Sequence, residues 1–174
     1  MVPDRSLDFV FSFDSLVHAE ADVMRSYLLQ LGSKLKPDGV GFIHHSNMGA
    51  YPRALALAKK VRPRLRNYLI RAGWLVNLNR WGAQSMTAQL FQQYCEDAGL
   101  QCISQEKINW RFGKHLIDCF SVFTPKGSVW ERSGRVVQNA RFMDEARHIS
   151  RVGKLYPSRK ELALKSSDGA SHSV

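Results

Sequence analysis

Polar side chains gather directly after two apolar segments of the sequence. LDFVFSF (7–13) is followed by Asp14, Ser15 and His18, and VGFI (40–43) is followed by His44, His45, Ser46 and Asn47. Imidazole groups ordinarily titrate near neutral pH, so a histidine here is suited to accept a proton from a hydroxyl group. His18 is the first candidate for this base and His45 the second. The alternative for His18 is a loop histidine that caps or packs.

Oxygen ligands at the same two places raise the possibility of a metal ion. Asp14 and Asn47 could together hold Mg²⁺, which would orient a diol and lower the pKa of its hydroxyl groups. The alternative for Asp14 is a cap on the following helix. Because side chains alternate along a strand, His44 and His45 point to opposite faces, and at most one of them faces a site beyond the strand ends.

The surrounding elements explain how these side chains could meet. The pattern predicts a strand over 7–13, a helix over 20–35 and a second strand over 40–47, which together form a βαβ unit with parallel strands. The carboxyl ends of parallel strands meet at one edge of the sheet, where ligands bind in open α/β folds. The polar groups are therefore expected to converge there.

The rest of the chain is predicted to add helices and an antiparallel hairpin. A basic helix over 52–70 is broken or kinked at Pro63, and a helix over 86–98 begins at Ser85 and ends at Gly99. LQCISQEKINW and HLIDCFSVFTP indicate two strands that turn near Gly113. Residues 1–125 are interpreted as one domain-like unit, and residues 126–174 as a basic polar tail that is partly helical and disordered at its end.

The charge is concentrated in one region. The formal net charge is +10, and no Asp or Glu occurs between Gly39 and Cys95. This region instead carries eight basic residues: Arg53, Lys59, Lys60, Arg62, Arg64, Arg66, Arg71 and Arg80. Such a surface can attract phosphates, anionic lipid or an acidic substrate, or it can be a solvated basic helix. One function class is therefore a non-catalytic module that binds nucleic acid or a partner chain.

Composition excludes several other classes. A hydrophobic content of 44% is typical of a globular protein, and no apolar run reaches transmembrane length, so a soluble, cytoplasmic protein is expected. Three cysteines without metal-type spacing predict reduced structural thiols. Trp74, Trp81 and Trp110 could line an acceptor pocket or pack in the core. Asp118, within an apolar strand, is expected to make a structural hydrogen bond.

The order of elements resembles the C-terminal half of class I S-adenosylmethionine-dependent methyltransferases. LDFVFSFDSLVH is similar to the fourth strand of that fold, and LLQLGSKLKPDGVGFIHHSN to the next helix, turn and strand. MTAQLFQQYCEDAGLQCISQE followed by LIDCFSVFTP is similar to its last helix and terminal hairpin. FDSLVH and IHHSN most resemble members that act on sugars or other small hydroxyl substrates. The implied fold is a partial Rossmann-like sheet, parallel strands with crossover helices ending in an antiparallel hairpin, without the first strands.

The resemblance implies a cofactor and a partner. S-adenosylmethionine would contact Phe13, Asp14 and Ser15 on its adenine side, while the acceptor would be a small hydroxyl compound such as a sugar. The sequence has no GxGxG loop, which in this family holds the rest of the cofactor. The chain is therefore expected to be a truncated unit that binds the cofactor weakly, with its activity alone left open, and that self-associates or pairs with a chain supplying the other half.

Overall fold

Residues 2–76, 82–110 and 114–156 are described by the structure, a computed structural model. Its strands are β1 (Leu7–Ser12), β2 (Leu35–Ser46), β3 (Leu100–Ile108), β4 (Asp118–Pro125) and β5 (Arg135–Asn139). Its α-helices are α1 (Ala21–Lys34), α2 (Pro52–Lys60), α3 (Pro63–Arg71), α4 (Ala88–Asp97) and α5 (Phe142–Gly153). A short 3₁₀ turn (Met48–Ala50) follows β2.

The five described strands form one mixed sheet in the order β1-β2-β4-β3-β5. β1 and β2 are parallel and connected by α1, while β4 lies antiparallel between β2 and β3. This arrangement confirms the expected Rossmann-like α/β sheet with its βαβ unit and antiparallel pair. The predicted turn near Gly113 lies outside the described residues.

Helices α1 and α4 cover one face of the sheet and enclose the main core. Met24 and Leu28 of α1 and Phe91 of α4 are fully buried there, together with Ile43 and Phe123 of the sheet. Close packing explains the glycine at position 41 of β2, because a Cβ atom there would lie 2.1 Å from the Phe123 ring.

The opposite face of the sheet carries exposed aromatic side chains. Phe9, Phe11 and Phe13 alternate along β1 and its end and are 59%, 63% and 46% exposed. Ring contacts continue across the sheet, from Phe11 to Phe42 (5.3 Å between centroids) and from Phe42 to Phe120 (5.6 Å). These five phenylalanines are named the aromatic face below.

Several boundaries differ from the sequence-based predictions. β2 begins at Leu35, and the turn at 36–39 is an irregularity within it, since Leu7 pairs with Leu35 but Phe9 pairs with Val40. The prediction that Ser85 caps α4 is wrong, because the Thr87 side chain accepts a hydrogen bond from the Leu90 N–H. The break between α2 and α3 at Pro63 and the left-handed Gly99 after α4 (φ +71°) are confirmed.

The part predicted as a basic, partly helical tail contains a strand and a helix. Arg135–Asn139 is a strand that pairs in parallel with β3, so the sheet extends past residue 125. The chain divides into two compact units, Met1–Arg141 and Phe142–Val174, and the described part of the second contains α5. In the described residues, no helix is long and apolar enough to cross a membrane. All three cysteines are buried free thiols, as predicted.

Candidate active site

A cavity of ≈ 340 Å³ lies at the carboxyl ends of β1 and β2. Nine side chains and backbone segments line it: Asp14, Val17, His18, His44, Met48, Gly82, Trp110, Ile117 and Asp118. The lining therefore combines two imidazoles and two carboxylates with an indole ring and aliphatic groups. The predicted convergence of polar residues at this edge is seen for Asp14, His18 and His44.

Hydrogen bonds between three loops form the cavity wall. The Ala83 N–H donates to the Val17 carbonyl (2.8 Å), and the Ser46 hydroxyl donates to the Ala83 carbonyl (2.7 Å). The same Ser46 oxygen accepts from the Met48 N–H (3.1 Å). The loops that follow β1 and β2 are thus joined through the segment before α4, which fixes the position of the residues they carry.

His44 is the histidine of β2 that faces the cavity. Its side chain is almost fully buried, and its Nδ1 accepts a hydrogen bond from the Asp14 N–H (3.2 Å). Its ring is surrounded by Phe13, Trp110 and Phe120 at centroid distances of 5.2, 5.7 and 4.9 Å. Because Nδ1 accepts, the proton of the neutral imidazole is on Nε2, so the neutral ring is a hydrogen-bond donor at Nε2.

Asp14 owes its position to a strained turn at the end of β1. Its backbone is left-handed (φ +60°), a conformation that Asp and Asn adopt more readily than most residues. This turn directs the Asp14 N–H to His44 and leads the chain to His18, whose exposed side chain also lines the cavity. Asp14 does not cap α1, because the N-cap residue of this helix is Glu20.

His45 was predicted as the second candidate for the base, but it does not line the cavity. Its side chain is fully buried on the opposite face, where it stacks on Phe91 at 4.3 Å. Its ring nitrogens contact the Ser46 carbonyl (2.9 Å) and the Ser121 hydroxyl (2.8 Å). Burial lowers the pKa of His45 to about 4. A neutral imidazole held between these partners stabilises the core and has no access to a ligand.

Asn47 was predicted as a metal ligand, but both ends of its side-chain amide are hydrogen-bonded within the fold. Its side-chain N–H₂ donates to the Leu116 carbonyl (2.7 Å), and its Oδ1 accepts from the Ala88 N–H (2.8 Å). Among the described residues, no group of three or more His, Cys, Asp or Glu side chains could hold a metal ion. Of the predicted magnesium ligands, Asp14 alone lines the cavity.

The other predicted binding residues are divided between the cavity and the surface. Phe13 lies beside the cavity through its contact with His44, whereas the exposed Ser15 hydroxyl donates to the Phe13 carbonyl (3.2 Å). Trp110 is a cavity residue, and Trp74 is 73% exposed. Trp81 lies outside the described residues.

Asp118 lines the cavity, whereas the sequence analysis predicted only a structural hydrogen bond for it. It begins β4, and its backbone lies opposite Ser46 of β2 in the antiparallel register. An antiparallel strand starts where its neighbour ends, so its first residues reach the same edge as the carboxyl ends of β1 and β2. The predicted direction of the hairpin already contained this signal, because Asp118 is the first charged residue of its second strand.

No family model matches the chain, and no curated protein matches it. Among solved structures, the chain is similar to the crystal structure of PH0226 protein from Pyrococcus horikoshii OT3, with 20% sequence identity and a TM-score of 0.43. The similarity covers 71% of this chain and 53% of that chain, so the chain spans about half of that protein's length. Similarity of this size assigns no activity to the chain.

Proposed function

We propose that the chain carries the acceptor side of an S-adenosylmethionine-dependent methyltransferase that acts on hydroxyl groups. The observation that carries the proposal is the cavity at the ends of β1 and β2, where His18, His44, Asp14 and Asp118 surround one space. Ligand sites of open α/β sheets lie at this edge. The order of elements along the chain, which resembles the second half of that enzyme fold, supports the same reading.

The described residues fit the cofactor in part. Phe13 offers a half-exposed aromatic ring beside the cavity-lining Asp14, and a flat apolar surface suits an adenine ring. Phe13, Asp14 and Ser15 would therefore hold the adenine side. The sequence has no GxGxG loop for the ribose and methionine, so a separate glycine-rich segment would make those contacts. When bound, the cofactor supplies an electrophilic methyl group.

His18 and His44 would have different roles at the acceptor side of the cavity. His18 lines the cavity and would accept the proton of the acceptor hydroxyl, which makes its oxygen a better nucleophile. His44 would hold the turn that carries Asp14, because its Nδ1 accepts a hydrogen bond from the Asp14 N–H. Its Nε2 is buried, so His44 would act on the position of Asp14 and not on the acceptor oxygen.

The lining also suggests the class of acceptor. Trp110 offers a flat ring, while the Asp118 carboxylate would accept hydrogen bonds from hydroxyl groups. A small polyhydroxylated ring, such as a sugar, matches this combination of a flat face and a hydrogen-bond acceptor. A magnesium ion has no part in the proposal, since Asn47 is occupied on both sides of its amide.

The test uses the chain together with the polypeptide encoded directly upstream of it, and S-adenosylmethionine labelled at its methyl group. Transfer of label to members of a sugar panel is expected for the combination, while the chain alone binds the cofactor weakly. In the active combination, His18→Ala should lower the rate by about 10² to 10⁴. Cofactor affinity should stay unchanged, because the imidazole faces the acceptor.

His148→Ala is the matched control, since this histidine is exposed on α5. It should leave the rate unchanged. A rate for His18→Ala within about twofold of the parent would refute the assignment of the base. Tight cofactor binding by the chain alone would instead refute the division of the cofactor site between two segments.

A further inference from the structure

Helix α2 exposes a leucine on its outer side. The inner side of this helix is buried through Leu55 and Ala58, whereas Leu57 is 54% exposed. Arg53 and Lys60 are also exposed and lie three or four residues from Leu57, so they flank it on the helix surface. An apolar side chain thus lies between two cations.

Helix α3 continues the same pattern without any buried residue. Leu65 and Tyr68 are 55% and 69% exposed, and their i, i+3 spacing places them side by side. Arg64 and Arg71 are exposed on the same helix, and Trp74 follows it with 73% of its surface exposed. Leu69 and Ile70 of this helix are half-buried, whereas Leu65 and Tyr68 are mostly exposed, so core packing does not account for these two apolar side chains.

The part of the sequence that contains α2 and α3 has basic residues and no acidic ones. No Asp or Glu occurs between Gly39 and Cys95, so no carboxylate of the region neutralises the basic residues of α2 and α3. A partner with many negative charges is therefore complementary to this surface. The exposed leucines add a second requirement, which is that the partner must also accept apolar side chains.

We propose that α2 and α3, through the exposed residues Leu57, Leu65, Tyr68, Trp74, Arg64 and Arg71, bind the surface of an anionic lipid bilayer. Amphipathic helices that lie in the membrane interface combine Lys and Arg with Leu and aromatic residues in this way. Tyr and Trp suit the boundary between headgroups and acyl chains, because each joins an apolar ring to a polar group. The helices lie on the bilayer and do not cross it.

Nucleic acid is the rival partner for a basic surface with aromatic rings. Tyr68 and Trp74 could stack on bases, and the arginines could bind phosphates. Leu57 and Leu65 favour lipid, because an aliphatic side chain has no role on a charged phosphodiester backbone but gains free energy in an acyl layer. The two partners therefore differ in how much they depend on the leucines.

Vesicle sedimentation of the full chain provides the test. Vesicles of phosphatidylcholine mixed with phosphatidylglycerol are expected to bind the chain, and pure phosphatidylcholine vesicles are expected to bind it far less. Arg64→Gln and Arg71→Gln should each weaken binding about fivefold at low salt. Leu65→Ser combined with Tyr68→Ser should weaken it about tenfold or more.

Matched controls come from an exposed loop elsewhere in the same unit. Val129→Ser and Arg132→Gln remove an apolar and a basic side chain that are also exposed, and neither should change vesicle binding. Insertion has a separate readout, since bound vesicles should shift tryptophan emission to shorter wavelength. Trp74→Phe should retain binding but lose most of this shift.

Two results would overturn the proposal. One is binding of anionic vesicles that is unchanged by the α3 variants, which would mean that another surface or nonspecific charge is responsible. The other is tight binding of a single-stranded oligonucleotide that depends on Arg64 and Arg71 but not on the leucines, without binding of anionic vesicles. Because every substituted residue is exposed, an unchanged circular dichroism spectrum is expected for each variant.

Discussion

His45 makes the stability of the core dependent on pH. Burial lowers its pKa to about 4, below the ordinary value of 6.5 for histidine, so the folded state resists protonation that the unfolded state accepts. The free energy of unfolding should therefore fall as pH falls from 6.5 toward 4, by about 1.4 kcal/mol per pH unit in that window. Denaturant unfolding at a series of pH values measures this slope.

The comparison with two variants isolates the contribution of His45. His45→Gln keeps a polar side chain at the position but removes the ionisable group, so the stability difference from the parent should shrink as the pH falls below 6.5. His148→Gln, on the exposed surface of α5, should leave the slope unchanged. A parent and His45→Gln variant with parallel pH profiles would show that His45 does not titrate between the two states.

The neighbouring His44 shows what the sequence could determine at this scale. Strand alternation predicted that His44 and His45 point to opposite faces, and the structure confirms it. The pattern did not say which face holds the cavity, because both sides of β2 are apolar in sequence. That choice depends on α4, whose Phe91 covers the His45 side. A partner distant in the chain therefore decided which histidine faces the site.

At the scale of elements, the packing of α1 against the end of α4 depends on a glycine. A Cβ atom at Gly32 would lie 2.3 Å from the Ala98 carbonyl oxygen, which is backbone and has little freedom to move. Gly32→Ala should therefore lower the free energy of unfolding by about 1 to 3 kcal/mol, despite the better helix propensity of alanine. Ser26→Ala, exposed on the same helix, should change it by less than about 0.5 kcal/mol in denaturant unfolding. Equal effects of the two substitutions would contradict the close contact.

Helix ends show why some elements were predicted and others missed. Ser85 was predicted as a cap from its place before α4, but its hydroxyl accepts from the Ala21 N–H (2.9 Å) and donates to Glu20, so it caps α1 instead. The local sequence predicts that Ser85 can cap a helix, but it does not identify the helix, because the N–H group that Ser85 caps lies 64 residues away. β5 was missed for a similar reason, since its pairing with β3 is nonlocal and its residues are mostly exposed.

At the scale of the molecule, the two faces of the sheet are unequal. One face is covered by α1 and α4, whereas the aromatic face remains exposed on β1, a strand at one edge of the sheet formed by the described residues. Sheets with parallel strands ordinarily have both faces covered, and an exposed edge strand offers unpaired backbone groups to another chain. The sequence predicted this exposure only through the resemblance to a larger fold. The alternation of apolar residues along β1 is the same whether or not another element covers that face of the strand.

The exposed aromatic face leads to a prediction of self-association through β1. Phe11 is 63% exposed and stacks on Phe42, so it lies within the apolar surface that a second copy would bury. The parent chain should sediment as species larger than a monomer, with a fraction that rises with concentration, and Phe11→Lys should shift it toward the monomer. Val129→Lys adds the same charge at an exposed apolar residue that is not one of the five phenylalanines of the aromatic face, and it should leave the distribution unchanged. A parent chain that sediments as a monomer at every concentration would refute self-association, and equal effects of both lysines would assign it to net charge, not to the aromatic face.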